Sequence, residues 1–420
     1  MVEFAATARA LRCAGLLASV GVAALLAGAA PASAQVSAGD TSPDIVVTGS
    51  SIRGVAPIGS APISVDRAAI DDIQPASTKE LLSYIPQLGN FGTNAEQATS
   101  GRFRTAGFYP NIHNVGIYAT LTLINGHRIA PVGGEAVFPD PTLVPTIAID
   151  RVEVVADGGS AIYGSDAVAG VVNFIYRRNV QGLEASGTFG FNDTRYRKYN
   201  AALLGGHSWG SGNVMLAYEF TRTLSPWNTD IDFLALGGDQ TSRGGRDLRG
   251  SNCLYPNVTV GGSNYAYQPD GSFKSGRNLC GVLSRNNVVP DTRRHSVLLT
   301  ARQELGDRVE LWTELNYSNL HTFSLGGKSS MNMFLDSTNP YYRLPAGVTG
   351  TPTIQVIRSG LGLFEQNRNR QSSEVMAATF GADIQLGGDW VTNIMFHASK
   401  TNDFNSDPEL DLIHMERAAA

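Results

Sequence analysis

The sequence predicts an α+β domain of modest size followed by a long antiparallel β-sheet whose strands are built to cross a bilayer. Three observations predict it. The hydrophobic pattern changes near Arg178 from mixed helix and strand signals to strict period-two alternation. The alternating segments run to about ten residues, the length a tilted strand needs to span a bilayer core. Tight turns alternate with long loops along that second region, as they do in outer-membrane barrels.

Composition agrees with short strands and many turns. Charged residues make up 16% of the 420, against about 25% in an average soluble domain, and there are 46 Gly, 14 Tyr and 17 Phe. A net charge of −5 with no basic stripe excludes a nucleic-acid binder, because phosphate neutralisation needs clustered Lys and Arg.

Residues 1–34 have the anatomy of a bacterial secretory signal peptide. Arg9 and Arg12 precede an apolar run from Ala14 to Ala30, and Ala32-Ser33-Ala34 supplies a small-residue cleavage site. The competing reading, a spanning helix, fails on length and on the cleavage signal behind the run. Export leaves Cys253 and Cys280, which in an oxidising compartment are expected to form one disulfide.

Residues 35–56 are a flexible, small-residue segment with one β-branched island, Asp44, Ile45, Val46, Val47, Thr48 and Gly49. From 57 to 178 the α+β domain is expected. A strand at Ile63–Val65 precedes helices at Arg67–Ile73 and Thr78–Ile85, the second halted by Pro86. Thr120–Ile124 and Arg128–Ile129 flank Asn125-Gly126, a hairpin signal because both residues tolerate positive φ. Strands follow at Arg151–Ala156 and Ala169–Tyr176, joined through a Gly-rich stretch.

Residues 179–420 carry the period-two strands. Leu183–Phe191, Val214–Phe220, Leu311–Tyr317, Met376–Leu386 and Trp390–Phe396 alternate clearly, whereas Lys198–His207 and Arg294–Gln303 alternate less cleanly. Ser208–Asn213, Leu305–Arg308 and Gly387–Asp389 are the tight turns, and 224–292 and 321–372 are expected to be long unstructured loops, the first holding both cysteines. A soluble sandwich also alternates but seldom carries two such loops.

Three motifs in this chain resemble those of TonB-dependent outer-membrane receptors, in which an N-terminal plug sits inside a barrel of about 22 strands. Asp44–Gly49 resembles the energy-coupling segment, the TonB box. Leu121–Arg128 resembles the plug's central hairpin, and Asp157–Tyr176, with Tyr163-Gly164-Ser165-Asp166, resembles the plug's C-terminal signature. The resemblance implies energy-coupled uptake of a scarce solute, with an iron chelate placed first, across the cell outer membrane. It implies two further partners, outer-membrane lipid and a periplasmic TonB-type protein, the latter binding Asp44–Gly49 by strand addition. Ligand contacts are expected from plug apical loops, with Arg102, Arg104, Tyr109 and His113 as candidates; the two arginines equally suit pairing with acidic groups of the wall.

No nucleophile elbow, zinc motif or Cys-x-x-Cys pair is present, so no enzyme, cofactor or metal is expected. Gly326-Gly327-Lys328-Ser329 fails the phosphate-loop pattern because Thr322 stands where its first Gly belongs. The alternatives are a passive outer-membrane porin and an exported non-transport β-protein. Only about seven strands are counted after the plug, so an incomplete barrel, as in a fragment, is expected.

Overall fold

In the computed structural model, residues 62–89, 108–132, 139–156, 159–235, 238–281, 285–325, 330–359, 368–388 and 390–406 are described. They form three antiparallel or mixed sheets.

The N-terminal domain has a four-stranded sheet, β1 (Ile63–Val65), β2 (Thr120–Ile124), β3 (Ile149–Val155) and β4 (Gly170–Tyr176), in the order β1-β3-β4-β2. β2 lies parallel to β4, and the other pairs are antiparallel. Its helices start where short polar side chains satisfy free amides. The Asp66 carboxylate accepts the Ala69 amide ahead of α1 (Arg67–Ile73), and Ser77 accepts that of Glu80 at α2 (Thr78–Ser83). α1 stops at Gln74, whose backbone is left-handed with φ 48° just before Pro75. Every residue of β2 and β4 is buried, the polar Thr120, Thr122 and Asn173 among them, so both faces of these strands are covered. Gly170 makes the β3–β4 approach possible: φ is +139°, and a Cβ there would lie 2.2 Å from the Val155 carbonyl oxygen.

The Asn125-Gly126 turn forms with φ 49° and 83°, but the expected hairpin shrinks to one bridge between Ile124 and His127. Residues 128–129 make no strand because the neighbouring groups are already engaged. The Asn125 amide goes to the Phe174 carbonyl and the Gly126 amide to the Asn173 side chain, while β2 takes its ladder from β4.

The second sheet has seven antiparallel strands: β5 (Gly182–Phe191), β6 (Arg197–Trp209), β7 (Gly212–Leu224), β11 (Asp291–Leu305), β12 (Val309–Leu325), β15 (Arg368–Gly387) and β16 (Trp390–Ser406). They follow one another as an up-and-down meander, and among the described residues β5 and β16 each pair on one side only, so the sheet is open. The connections at one end are short, as at Gly210–Ser211 and Gly306–Arg308. No described helix is long and apolar enough to cross a membrane.

The two stretches expected to be unstructured are not. They contain β8 (Asn257–Val260), β9 (Ser263–Tyr267), β10 (Phe273–Ser275), β13 (Ser330–Leu335) and β14 (Ile354–Ser359), which form one sheet in the order β10-β9-β8-β14-β13. The β8–β14 pairing joins the two loops. Its driving force is a small core in which Val258, Val260 and Ile354 pack with Tyr265, Phe273, Leu335 and Tyr342. Cys253 and Cys280 are disulfide-bonded beside it. The first stretch also holds a single turn of helix, α4 (Asp232–Ala235), whereas α3 (Ser160–Tyr163) belongs to the N-terminal domain.

Candidate functional site

The seven-stranded sheet has its polarity reversed relative to a water-soluble one. On β7, Met215, Ala217 and Glu219 are buried while Leu216 is 50% exposed and Tyr218 39%. On β12, Trp312, Glu314, Ser318 and Thr322 are buried, and Leu311 and Leu315 are exposed. On β15, Ser373, Val375, Ala377 and Thr379 are buried, and Met376 and Phe380 are exposed. One face therefore presents apolar side chains outward, and the opposite face receives the N-terminal domain.

That seat combines apolar packing with polar contacts. Ala202, Leu204, Met215, Ala217, Leu298, Val375 and Ala377 of the sheet share one core with Ile70, Leu81, Ile147, Val152 and Phe174 of the domain. The deepest polar contact is the ion pair of Asp140 with Arg294, whose side chains are 4% and 10% exposed. Asp140 also caps the turn at Pro141–Leu143 by accepting the Thr142 amide, and Arg294 donates to the Ser318 hydroxyl. A buried pair of this kind is worth little net but is costly to break, because one charge is then stranded.

Other contacts distribute over the seat. The Thr146 amide donates to Glu219 at 2.9 Å, and the Tyr176 hydroxyl donates to Asn316 at 2.9 Å. Burial pushes the Tyr176 phenol well above its usual range, with Glu314 adding to the effect. The Asn125 side-chain amide donates to Glu314, and Lys198 pairs with Glu80. Arg177, leaving the domain, forms a bidentate pair with Glu184 of β5, both bonds 2.6 Å.

The tip of the Asn125-Gly126 turn inserts His127 between rings of the wall. Its ring stacks with Trp312 at 5.9 Å and 10°, and with His397 at 5.8 Å and 27°. Loss of hydration, with the neighbouring His397 second, lowers the His127 pKa to about 4, so the ring is neutral at ordinary pH. Trp312 in turn lies over Gly381, its cross-strand partner, where a Cβ would meet the indole at 2.3 Å. The glycine is thus the socket for the tryptophan.

Two of the quoted motifs meet here. Arg128 pairs with Asp166 and donates to the Tyr163 carbonyl at 2.6 Å. Its hydrogen bonds hold the Asp166 carboxyl below the usual carboxylate range. The Gly-rich signature is therefore occupied in folding the domain back on its own hairpin turn.

The sequence-derived candidates are not assembled into one site. Asp44–Gly49, Arg102 and Arg104 lie outside the described residues. Tyr109 is 2% exposed and belongs to the domain core beside Phe108 and Ile112, so its ring is not presented on a surface. His113 is exposed with φ 53°, its amide donating to the Gln87 carbonyl. Sequence reading passed over Asp140, Arg294, Asn125 and His127 as seat residues, although Glu219 and Glu314 stood at polar positions of alternating strands. Among the described residues no group of three His, Cys, Asp or Glu side chains forms a metal centre.

Comparison with known proteins gives one family match: residues 58–171 fit the TonB-dependent Receptor Plug Domain. Among solved structures, a ferric enterobactin receptor mutant from Pseudomonas aeruginosa is 13% identical, with TM-score 0.37, covering 82% of this chain and 58% of that one. The ferric citrate transporter FecA, unliganded, is 15% identical with TM-score 0.32 over 83% and 57%. The siderophore receptor PirA from Pseudomonas aeruginosa is 14% identical with TM-score 0.29 over 82% and 60%. The chain thus spans under two thirds of the length of each of these structures.

Proposed function

The chain carries the plug domain of a TonB-dependent receptor over residues 58–171, and from that premise we propose that it serves energy-coupled uptake of a scarce solute across the outer membrane. The family is one of transporters rather than enzymes. The observation that carries the proposal is the seating of this domain, through apolar packing and polar contacts, on one face of a sheet whose opposite face is apolar and exposed. A bilayer is the environment in which that outward face needs no protein cover.

In this reading the external loops and plug apex capture the solute, with His113 and the arginines Arg102 and Arg104 as contacts. An iron chelate is the first cargo class to test. The segment Asp44–Gly49 pairs with a periplasmic TonB-type protein through main-chain hydrogen bonds, and the pull on it loosens the plug. Residues 1–34 direct export and are cleaved.

Pull-down with a TonB-type periplasmic domain tests the coupling. Val46→Pro removes one main-chain donor inside the pairing segment. Capture by the parent chain and loss of capture by Val46→Pro are expected; equal capture of both overturns the coupling assignment.

A further inference from the structure

Between the plug and the first three wall strands lies a cleft of about 590 Å³. α1 contributes Arg67, Asp71 and Gln74, and the wall contributes Ser186, Thr188 and Asn200. The volume falls in the range of small-molecule sites, about 300–1,000 Å³. The contacts of Asp140, Tyr176 and Asn125 with β11 and β12 lie outside its lining.

The charged groups around the cleft are already engaged. Arg67 donates to Asp71 and to the carbonyls of Thr146 and Ile149. Glu184 is held bidentate by Arg177, and Glu219 accepts the Thr146 amide. What remains to face a solute is a set of neutral groups that both donate and accept: Gln74, Ser186, Thr188 and Asn200. An anion entering this space meets the Asp71, Glu184 and Glu219 carboxylates and an Arg67 already engaged, so like-charge repulsion opposes the hydrogen bonds that the neutral donors give it. A neutral hydroxylated molecule exchanges water for matched hydroxyl and amide partners at little cost.

We propose that this cleft is a solute subsite between plug and wall, selective for a neutral, hydroxyl-rich molecule over an anionic one. The proposal rests on the transport reading and refines its cargo: a sugar or an uncharged hydroxylated chelate is favoured over a polyanionic chelate.

Ser186→Cys places a reporter thiol in the cleft, and Leu203→Cys places one on the outward face of β6, where Leu203 is 46% exposed. The purified full chain is labelled with an uncharged maleimide, with maltose as the neutral probe and citrate as the anionic one. The unsubstituted chain supplies the blank. Maltose is expected to slow labelling at Ser186→Cys by about tenfold at ten times its half-saturating concentration. Citrate is expected to leave that rate unchanged, and neither probe affects Leu203→Cys. Adding Asn200→Val is expected to abolish the protection while labelling without probe persists. No protection by maltose, or equal protection by citrate, overturns the proposal. The Val46→Pro pull-down reads partner binding alone, so failure of the subsite and failure of the transport reading give different results.

Discussion

The plug sheet and the wall sheet solve opposite solvation problems with the same backbone. In the plug, β2 and β4 bury every side chain, and apolar residues such as Val172 and Phe174 are 0% exposed. In the wall, apolar side chains such as Leu216, Leu315 and Phe380 are exposed, and carboxylates such as Glu219 and Glu314 are buried. The hydrophobic effect drives the first arrangement, with hydrogen bonds from the Ile112 and Gly126 amides satisfying its buried Thr120 and Asn173. The second is stable only where hydrocarbon covers the outer face and protein partners satisfy the inner one. The contrast shows that alternation gives the period of a strand but not its direction; the direction is set by what lies on each side.

Removing the carboxylate at the centre of the seat is the most damaging test of the inner face. Asp140→Ala strands Arg294 and is expected to destabilise the seated plug by about 3–5 kcal/mol. Arg294→Met in the same chain should recover most of that loss, as read from denaturant midpoints. Failure of the double variant to recover would mean that the pair does more than cancel charge.

The outer face gives a sharper test of its solvent. Leu216→Arg is expected to cost about 2–4 kcal/mol for folding into a bilayer if the site lies at mid-depth. The same change on a water-facing surface stays within about 0.5 kcal/mol. Folding equilibria in lipid vesicles separate the two.

Within the wall, the Trp312–Gly381 socket predicts a smaller, local effect. Gly381→Val forces the indole aside and is expected to cost about 1–3 kcal/mol. Shifted tryptophan emission would report the displacement, and an unchanged spectrum with unchanged stability would exclude the socket.

The plug tip adds a pH-dependent effect. The His127 pKa is depressed in the folded state to about 4 from 6.5. The unfolded chain therefore binds the proton first, and the His127 contribution is lost as pH falls from about 6.5 toward 4, then levels off. His127→Leu should flatten that part of the stability profile measured by denaturant titration.

Much of this architecture is legible in the residues because it is local. The β7 alternation, the Asn125-Gly126 turn and the helices at Arg67 and Thr78 each depend on neighbours within a few positions. What escapes is non-local. Asp140 and Arg294 stand 154 residues apart, and nothing in either neighbourhood announces the other. The pairing of β8 with β14 likewise joins short β-branched segments across two loops, where no period is long enough to see. The turn at Asn125 was legible as a turn, but its lost second strand depended on β4, whose Phe174 carbonyl and Asn173 side chain take the turn amides. Of the candidate site, charge type and alternation were readable at Glu219 and Glu314; which plug groups they receive was not.

The most direct test of the central claim is nitroxide accessibility along β6, β7, β11 and β12 in lipid vesicles. Labels at the outward positions Leu203, Leu216 and Leu315 are expected to collide with dissolved oxygen and be shielded from a water-soluble nickel chelate, while labels at the inward Ser296 and Ser318 are shielded from both. Outward labels that collide freely with the nickel chelate would show water on that face and contradict the account.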